Sequence, residues 1–449
     1  MRRITTALVV GAVLGSGLAA PLAAESVGDL RQALERTYRD NPELDAARAR
    51  LRAVDENVPQ ALAGFRPRIS VDGSGEAVAG QTDLGDLDRR GGSLALTLRQ
   101  NLYAGGATTA AVERAEQQVL AERGRLAASE QQVLLAAVEA YSATWRDRAV
   151  LEFARNNRDR IARQLQATRD RFAVGEVSRT DVAQAEARLA RAQADIESAL
   201  AGLAASTAEF RRVVGADPAA SLADPESYPN LPQTLEEALA RAANHPSVVA
   251  ARFDLAAAQA AVREAEAGLR PSVDVVADAG YAREPTVSVD WQRRAAVGLQ
   301  VTVPLYQGGA DYSRVRQARQ TVTQRQRDLD ATTREVQRQV AAAWEALRAA
   351  GAAMTAFEAQ VRASSIALEG VRQEALVGTR TVLDVLDAEQ ELFDSQVSLV
   401  RARSDRVVAS YRLAAALGEL GAANLGLAVE LYDPASHYER QRTRLFGTE

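Results

Sequence analysis

Residues 63–67 read Ala-Gly-Phe-Arg-Pro, and residues 267–271 read Ala-Gly-Leu-Arg-Pro, 204 positions later. A second pair follows at an offset of 203, with Leu-Tyr-Ala-Gly-Gly at 102–106 and Leu-Tyr-Gln-Gly-Gly at 305–309. A nearly constant offset over this distance is the signature of an internal repeat, in which each copy forms the same unit. The sequence therefore predicts two copies of one fold.

Each copy predicts the same order of elements. In the first copy a short helix (28–40) precedes an Asn-Pro break, and a second helix (42–64) ends before Arg-Pro, because the residue before proline favours extended backbone. Two strands come next. A helix without proline (107–172) then follows the Gly-Gly pair, and some 65 residues of helix would span roughly 100 Å. A glycine turn leads into a return helix of about 37 residues.

The last strand of the second copy shows the clearest alternation. Apolar side chains at Val297, Leu299 and Val301 alternate with small or polar residues, and the pattern continues to Leu305. Period-two alternation indicates a strand with one apolar and one polar face. The segments 80–92 and 282–294 are expected to be extracellular loops. Four aromatic residues near strand ends fit either a membrane-interface girdle or caps of a soluble sheet: Tyr103, Tyr281, Trp291 and Tyr306.

The composition excludes several classes of function. The chain has no Cys and only two His, so thiolate chemistry and a multi-histidine metal site within one chain are not expected. No phosphate-binding loop or nucleophile elbow accompanies the acidic residues, which argues against an enzyme and against a cofactor. A formal net charge of -5 gives no reason to expect nucleic acid as a partner.

The first residues predict export. Arg2 and Arg3 precede an apolar stretch and a run of small residues, the pattern of a secretory signal peptide. The predicted organisation is given by five segments: signal peptide 1–24, first repeat 25–215, proline-rich linker 216–233, second repeat 234–418, and a C-terminal tail 419–449.

Four strands per chain cannot close a barrel and would leave unpaired edges. Three chains would supply twelve strands, and a barrel with apolar residues outside and polar residues inside suits an outer membrane. The residues therefore predict a fold class that is mainly α with a membrane β-barrel, built from two tandem repeats with long helical hairpins. The alternative that remains open is a soluble periplasmic coiled-coil adaptor or scaffold.

The sequence resembles the TolC family of outer-membrane efflux and secretion channels over nearly the whole mature chain. The most specific stretch is Val-Gly-Thr-Arg-Thr-Val-Leu-Asp-Val-Leu-Asp-Ala at 377–388, and 174–182 is a looser copy. The resemblance implies a homotrimeric exit duct in the outer membrane of a Gram-negative-type cell. In this duct the long hairpins would form a periplasmic α-barrel, and the tail 419–449 would lie at its equatorial region. It also implies a periplasmic adaptor and an inner-membrane pump or ABC exporter as partners, for drug efflux or type I secretion. The duct would be gated at the helix tips.

Candidate gate residues follow from the tips of the two hairpins. Asp384 and Asp387 share a helix face and would form an acidic ring at the pore aperture of a trimer. Thr381 three residues before Asp384 also fits a capping box, so Asp384 could cap its helix, line the pore, or do both. Asp387 corresponds to Gln184 in the first copy and has no such capping role.

The resemblance implies a latch and a docking surface as well. Arg380 would hold neighbouring hairpins closed through Thr180 and Asp181. Family members with a Tyr three residues before the tip glycine reinforce this latch, whereas this chain has Ala375 there. The tip turns that would meet the adaptor contain Gly175, Glu176, Gly378 and Thr379.

Overall fold

The computed structural model describes residues 26–83, 85–286 and 289–447, so the predicted signal peptide lies outside the described residues. The first repeat contains five helices and two strands: α1 Leu30–Asp40, α2 Pro42–Asp55, α3 Asn57–Leu62, β1 Arg68–Thr82, β2 Gly85–Tyr103, α4 Ala107–Ala173 and α5 Arg179–Val214. The second repeats this order and adds a tail helix: α6 Leu235–Arg241, α7 Pro246–Ala267, β3 Ser272–Thr286, β4 Val289–Thr302, α8 Ala310–Leu376, α9 Val382–Leu417 and α10 Ser436–Gln441. Among the described residues, no helix is long and apolar enough to cross a membrane.

The prediction of an unbroken helix over 42–64 is wrong. Helix α2 ends at Asp55 and α3 begins at Asn57. Pro59 explains the break, because it has no N–H for the helical bond to the carbonyl of Asp55 and its ring crowds that carbonyl. The corresponding residue of the second copy is Arg263, and α7 is continuous.

The break receives the C-terminal tail. His437 Nδ1 lies 3.1 Å from Oδ2 of Asp55, whose side chain is fully buried. Burial raises the pKa of Asp55. The tail thus covers a buried carboxylate that the second copy lacks, since Gln259 replaces Asp55 there.

The long helices form one layer. Near the tips the order across the layer is α5, α4, α9 and α8, and nearer the sheet α7 takes the place between α4 and α8. Helices α4 and α9 are therefore inside the layer, whereas α5 and α8 are at its two edges. The main core lies where α1 and α2 pack on α4, and Tyr141 is fully buried there, donating to the carbonyls of Gly28 and Ala223 at 3.0 and 2.8 Å.

The four strands form one antiparallel sheet in the order β1-β2-β3-β4. Ile69 pairs with Leu98 in the first hairpin, and their counterparts Val273 and Val301 pair in the second, so the two copies share one register. The segments 80–92 and 282–294 are mostly strand rather than the loops expected, because both hairpins remain paired almost to their turns. Strand β4 ends at Thr302 rather than Leu305, since Pro304 has no N–H for a ladder.

Candidate membrane face and channel gate

One face of the sheet is apolar and exposed. Ile69, Val71, Leu94 and Leu96 project from β1 and β2 on this face, and Val297 of β4 is 79% exposed. The opposite face carries polar groups, for example Arg99, which donates to Gln300 across β3 at 3.1 Å. A continuous apolar patch of this kind on a protein surface marks contact with a membrane or another protein. Its alternation with polar residues fits the wall of an outer-membrane barrel.

The two hairpin tips have nearly identical turns. Gly175 and Gly378 have φ values of 80° and 81°, a left-handed conformation that favours glycine, and nothing lies within 4 Å of a Cβ built on either. Ser178 then caps α5 and Thr381 caps α9, each in a capping box with an aspartate three residues later. The tips are therefore exposed helix-to-helix corners whose returning helices begin at capping boxes.

The structure gives Asp384 a capping role. Its Oδ2 accepts from the backbone N–H and the hydroxyl of Thr381 at 2.9 and 2.8 Å. These hydrogen bonds hold the pKa of Asp384 below its ordinary value. Oδ2 is therefore committed to the cap, and a role at the pore aperture remains a prediction.

Arg380 binds within its own hairpin. Its Nε lies 2.7 Å from Oε2 of Glu374, near the end of α8. Asp181, one of the two predicted latch partners, is occupied by the cap of α5, where its Oδ2 accepts from Ser178. The latch between neighbouring hairpins through Thr180 and Asp181 stays a prediction.

Asp387 makes a contact that the sequence analysis missed. Its carboxylate pairs with Arg188 of α5, although the Asp387 side chain is 54% exposed. Two residues further along, Glu389 is buried against arginines of α4 and α8. A sequence signal for Glu389 existed: Arg372 and Glu389 repeat Arg169 and Glu186 at the offset of 203.

A layer of long helical hairpins joined to a sheet with an exposed apolar face defines an outer-membrane channel protein. The family model for outer membrane efflux proteins matches residues 31–216 and 236–419. The chain belongs to this family, which confirms the predicted TolC-like fold and outer-membrane location. The family is one of channels for transport, and it favours the exit duct over the soluble scaffold.

Relatives match the chain over nearly its full length. Outer membrane efflux protein BepC of Brucella suis is 36% identical over 443 residues, which are 98% of this chain and 96% of BepC. Outer membrane protein TolC of Vibrio cholerae is 29% identical over 425 residues, with 92% and 95% covered. The crystal structure of the outer membrane protein VceC from Vibrio cholerae has a TM-score of 0.75 at 23% identity, and covers 87% of this chain and 96% of VceC.

Proposed function

We propose that three copies of this chain form a closed exit duct, which carries substrates from an inner-membrane pump and a periplasmic adaptor through the outer membrane without catalysing a reaction. The observation that carries the proposal is a sheet with an apolar outer face and two unpaired edges. Strands β1 and β4 each have one neighbour among the described residues. Three such sheets give twelve strands, and closure satisfies every edge.

The helical layer has matching open edges. A row of exposed small residues runs along α5 at heptad spacing: Ala183, Ala187, Ala190, Ala194 and Ala201. A second row runs along α8: Ala349, Ala352, Ala356, Ala359 and Ala363. Small residues at this spacing allow two helices to approach closely. These rows support packing of α5 of one protomer on α8 of the next.

The repeat supplies the register between protomers. Strand β2 pairs with β3 inside the chain, and the repeat offsets turn this pairing into one between β4 and β1 of the next protomer. Thr97 faces Asp278 in the observed pair, so Gln300 should face Ser74 of the neighbouring copy. Both residues belong to the polar face, since Ser74 Oγ lies 2.8 Å from Ser93 Oγ and Gln300 accepts from Arg99.

Disulfide cross-linking tests the trimer in a chain that has no cysteine of its own. Gln300→Cys with Ser74→Cys should give covalent dimers and trimers under oxidising conditions, because the paired residues lie within disulfide reach. The matched control is Gln300→Cys with Gly75→Cys, whose side chains would point to opposite faces of the barrel. Cross-linking of neither pair, or of the control alone, would contradict the proposed closure.

We propose that the tips form the gate. Asp384 and Asp387 of three protomers would surround the axis and attract cations, with Arg380, Thr180 and Asp181 as the latch. The exposed turns with Gly175, Glu176, Gly378 and Thr379 would meet the adaptor. Drug efflux and type I secretion both use such a duct, and specificity would reside in the pump and adaptor.

Single-channel recording in a planar bilayer tests the acidic ring. Wild-type trimers should give a small, cation-selective conductance that multivalent cations block, and Asp384→Asn/Asp387→Asn should abolish the block. Asp387→Asn alone should remove more of it than Asp384→Asn alone, because Asp387 has no capping role. Unaltered block in the double variant would exclude the ring, and absence of trimers would exclude the duct.

A further inference from the structure

Glu389 is a charged residue in the interior of the gate region. It lies in α9, two residues beyond Asp387, and is only 3% exposed. Oε2 is 2.7 Å from Nε of Arg160 in α4, and Oε1 pairs with Arg372 in α8. One carboxylate thus joins three helices and both tip hairpins of the protomer.

The first repeat provides an internal comparison. Arg169 and Glu186 occupy the same positions in the first hairpin and pair at 2.6 Å, with side chains 51% and 50% exposed. This pair joins only α4 and α5, the two helices of its own hairpin. The extra cation beside Glu389 is Arg160 of the first copy, whose counterpart Ala363 in the second copy belongs to the small-residue row on the edge of α8. The third charge therefore occurs where α4 of one hairpin packs on α9 of the other.

Stability alone does not account for this arrangement. Moving a carboxylate and guanidinium groups out of water is costly, and the attraction compensates only when the geometry is very good. Nε of Arg160 and Oε2 of Glu389 lie 2.7 Å apart, but the two atoms are not aligned for a hydrogen bond, and neither has another hydrogen-bond partner among the described residues. An apolar contact would hold these helices at least as well, whereas removal of Glu389 would leave Arg160, whose side chain is only 21% exposed, without a carboxylate partner and close to a second arginine, Arg372.

We propose that Glu389 is a positioning residue of the gate, which holds the second hairpin (α8 and α9) against the first (α4 and α5) just inside the aperture. The proposal rests on the gated duct proposed above. Without the carboxylate, Arg160 and Arg372 face each other across the boundary between the hairpins, and their repulsion separates α4 from α8 and α9. The nearby Arg188–Asp387 pair and the apolar contacts of Leu386 then act alone at this boundary.

Resting conductance of purified trimers in planar bilayers tests this role. Glu389→Gln should raise the resting conductance roughly tenfold, because it leaves two uncompensated cations at the boundary. Arg160→Met should raise it less, since Glu389 keeps Arg372 as its partner. Glu186→Gln is the matched control and should leave it at the wild-type value, because its pair with Arg169 lies within one hairpin and its loss leaves no second arginine to repel Arg169.

A double variant separates repulsion from a general loss of packing. Arg160→Met/Glu389→Gln removes the opposing cation, so its resting conductance should fall below that of Glu389→Gln. Conductance of Glu389→Gln equal to wild type, or an equal rise in Glu186→Gln, would overturn the proposal. If Glu389→Gln does not assemble, the Arg160→Met variant decides: a resting conductance equal to that of the wild type would by itself overturn the proposal. Wild-type protein that neither inserts into membranes nor forms trimers would instead reject the duct.

Discussion

Helices α4 and α8 have the same length, 67 residues each, and the same place in the two repeats, but they differ in burial. Leu134, Val138 and Tyr141 of α4 are fully buried. Their counterparts in α8 are Gln337, which is exposed, and Trp344, which is half-buried, with Ala341 between them. Helix α4 has neighbours on both sides in the layer, whereas α8 has them on one side only.

The position of a helix in the layer, more than the repeated sequence pattern, therefore decides how far a residue is buried and what it contacts. The Arg–Glu pair of each hairpin follows the same rule. The glutamate of this pair is 50% exposed in the first copy and 4% exposed in the second, because α4 packs on α9 beside Glu389 whereas α5 is at the open edge of the layer. If three copies form a closed barrel, the open edge of α5 becomes an interface between protomers. This interface is lined by small residues and has no equivalent of the contact between Arg160 and Glu389.

The largest effect is expected in the core of α4. Tyr141→Ala removes a buried ring and two hydrogen bonds, and should lower the free energy of unfolding by about 3–5 kcal/mol. Trp344→Ala, at the corresponding position of α8, should cost about 1–2 kcal/mol because the ring is only partly buried. Denaturant unfolding of detergent-solubilised protein measures both, and equal losses would contradict the difference between the helices.

An intermediate effect is expected at the edge of α8. Ile366 continues the row of small residues and is 75% exposed in the protomer. Ile366→Arg should prevent trimer formation while leaving the helical content unchanged, because an unpaired charge would be buried in the proposed interface. Light scattering in detergent measures the assembly. Ser365→Arg is the control, since Ser365 is exposed and one position away from the row, and this variant should remain trimeric. An equal loss of trimers in the Ile366→Arg and Ser365→Arg variants would reject the edge as an interface.

The smallest effect is expected at the caps, where the two repeats agree. Ser178→Ala and Thr381→Ala should each destabilise the first turn of their helix by about 1 kcal/mol, seen as faster amide hydrogen exchange. Because the pKa of Asp384 is lowered, its stabilisation of the cap is fully present above the ordinary value of 3.8 and is lost as the pH falls through the lowered pKa. The quantity to compare is the protection factor, which is the exchange rate relative to the intrinsic rate at the same pH. Protection factors at the start of α9 that are equal at neutral and strongly acidic pH would contradict this.

Much of the fold followed from local patterns. The repeat, the bounds of the long helices and the capping boxes depend on neighbouring residues, such as Thr381 and Asp384, and the structure has them where the sequence predicted. The break at Glu56 was missed, although Pro59 was visible, because the apolar periodicity continues through it. The strand lengths were underestimated, since glycine-rich stretches resemble loops until a partner strand pairs with them.

The order and length of the elements follow from local sequence, because caps, glycine turns, prolines and hydrophobic periodicity act over a few residues. Which of two equivalent residues is buried, and what it contacts, depends on long-range packing. Glu186 and Glu389 occupy the same position in the repeat and pair with equivalent arginines, but α4 packs on α9 and brings Arg160 to Glu389 alone. Contacts between helices distant in sequence depend on the order of the layer, which a repeated pattern does not specify.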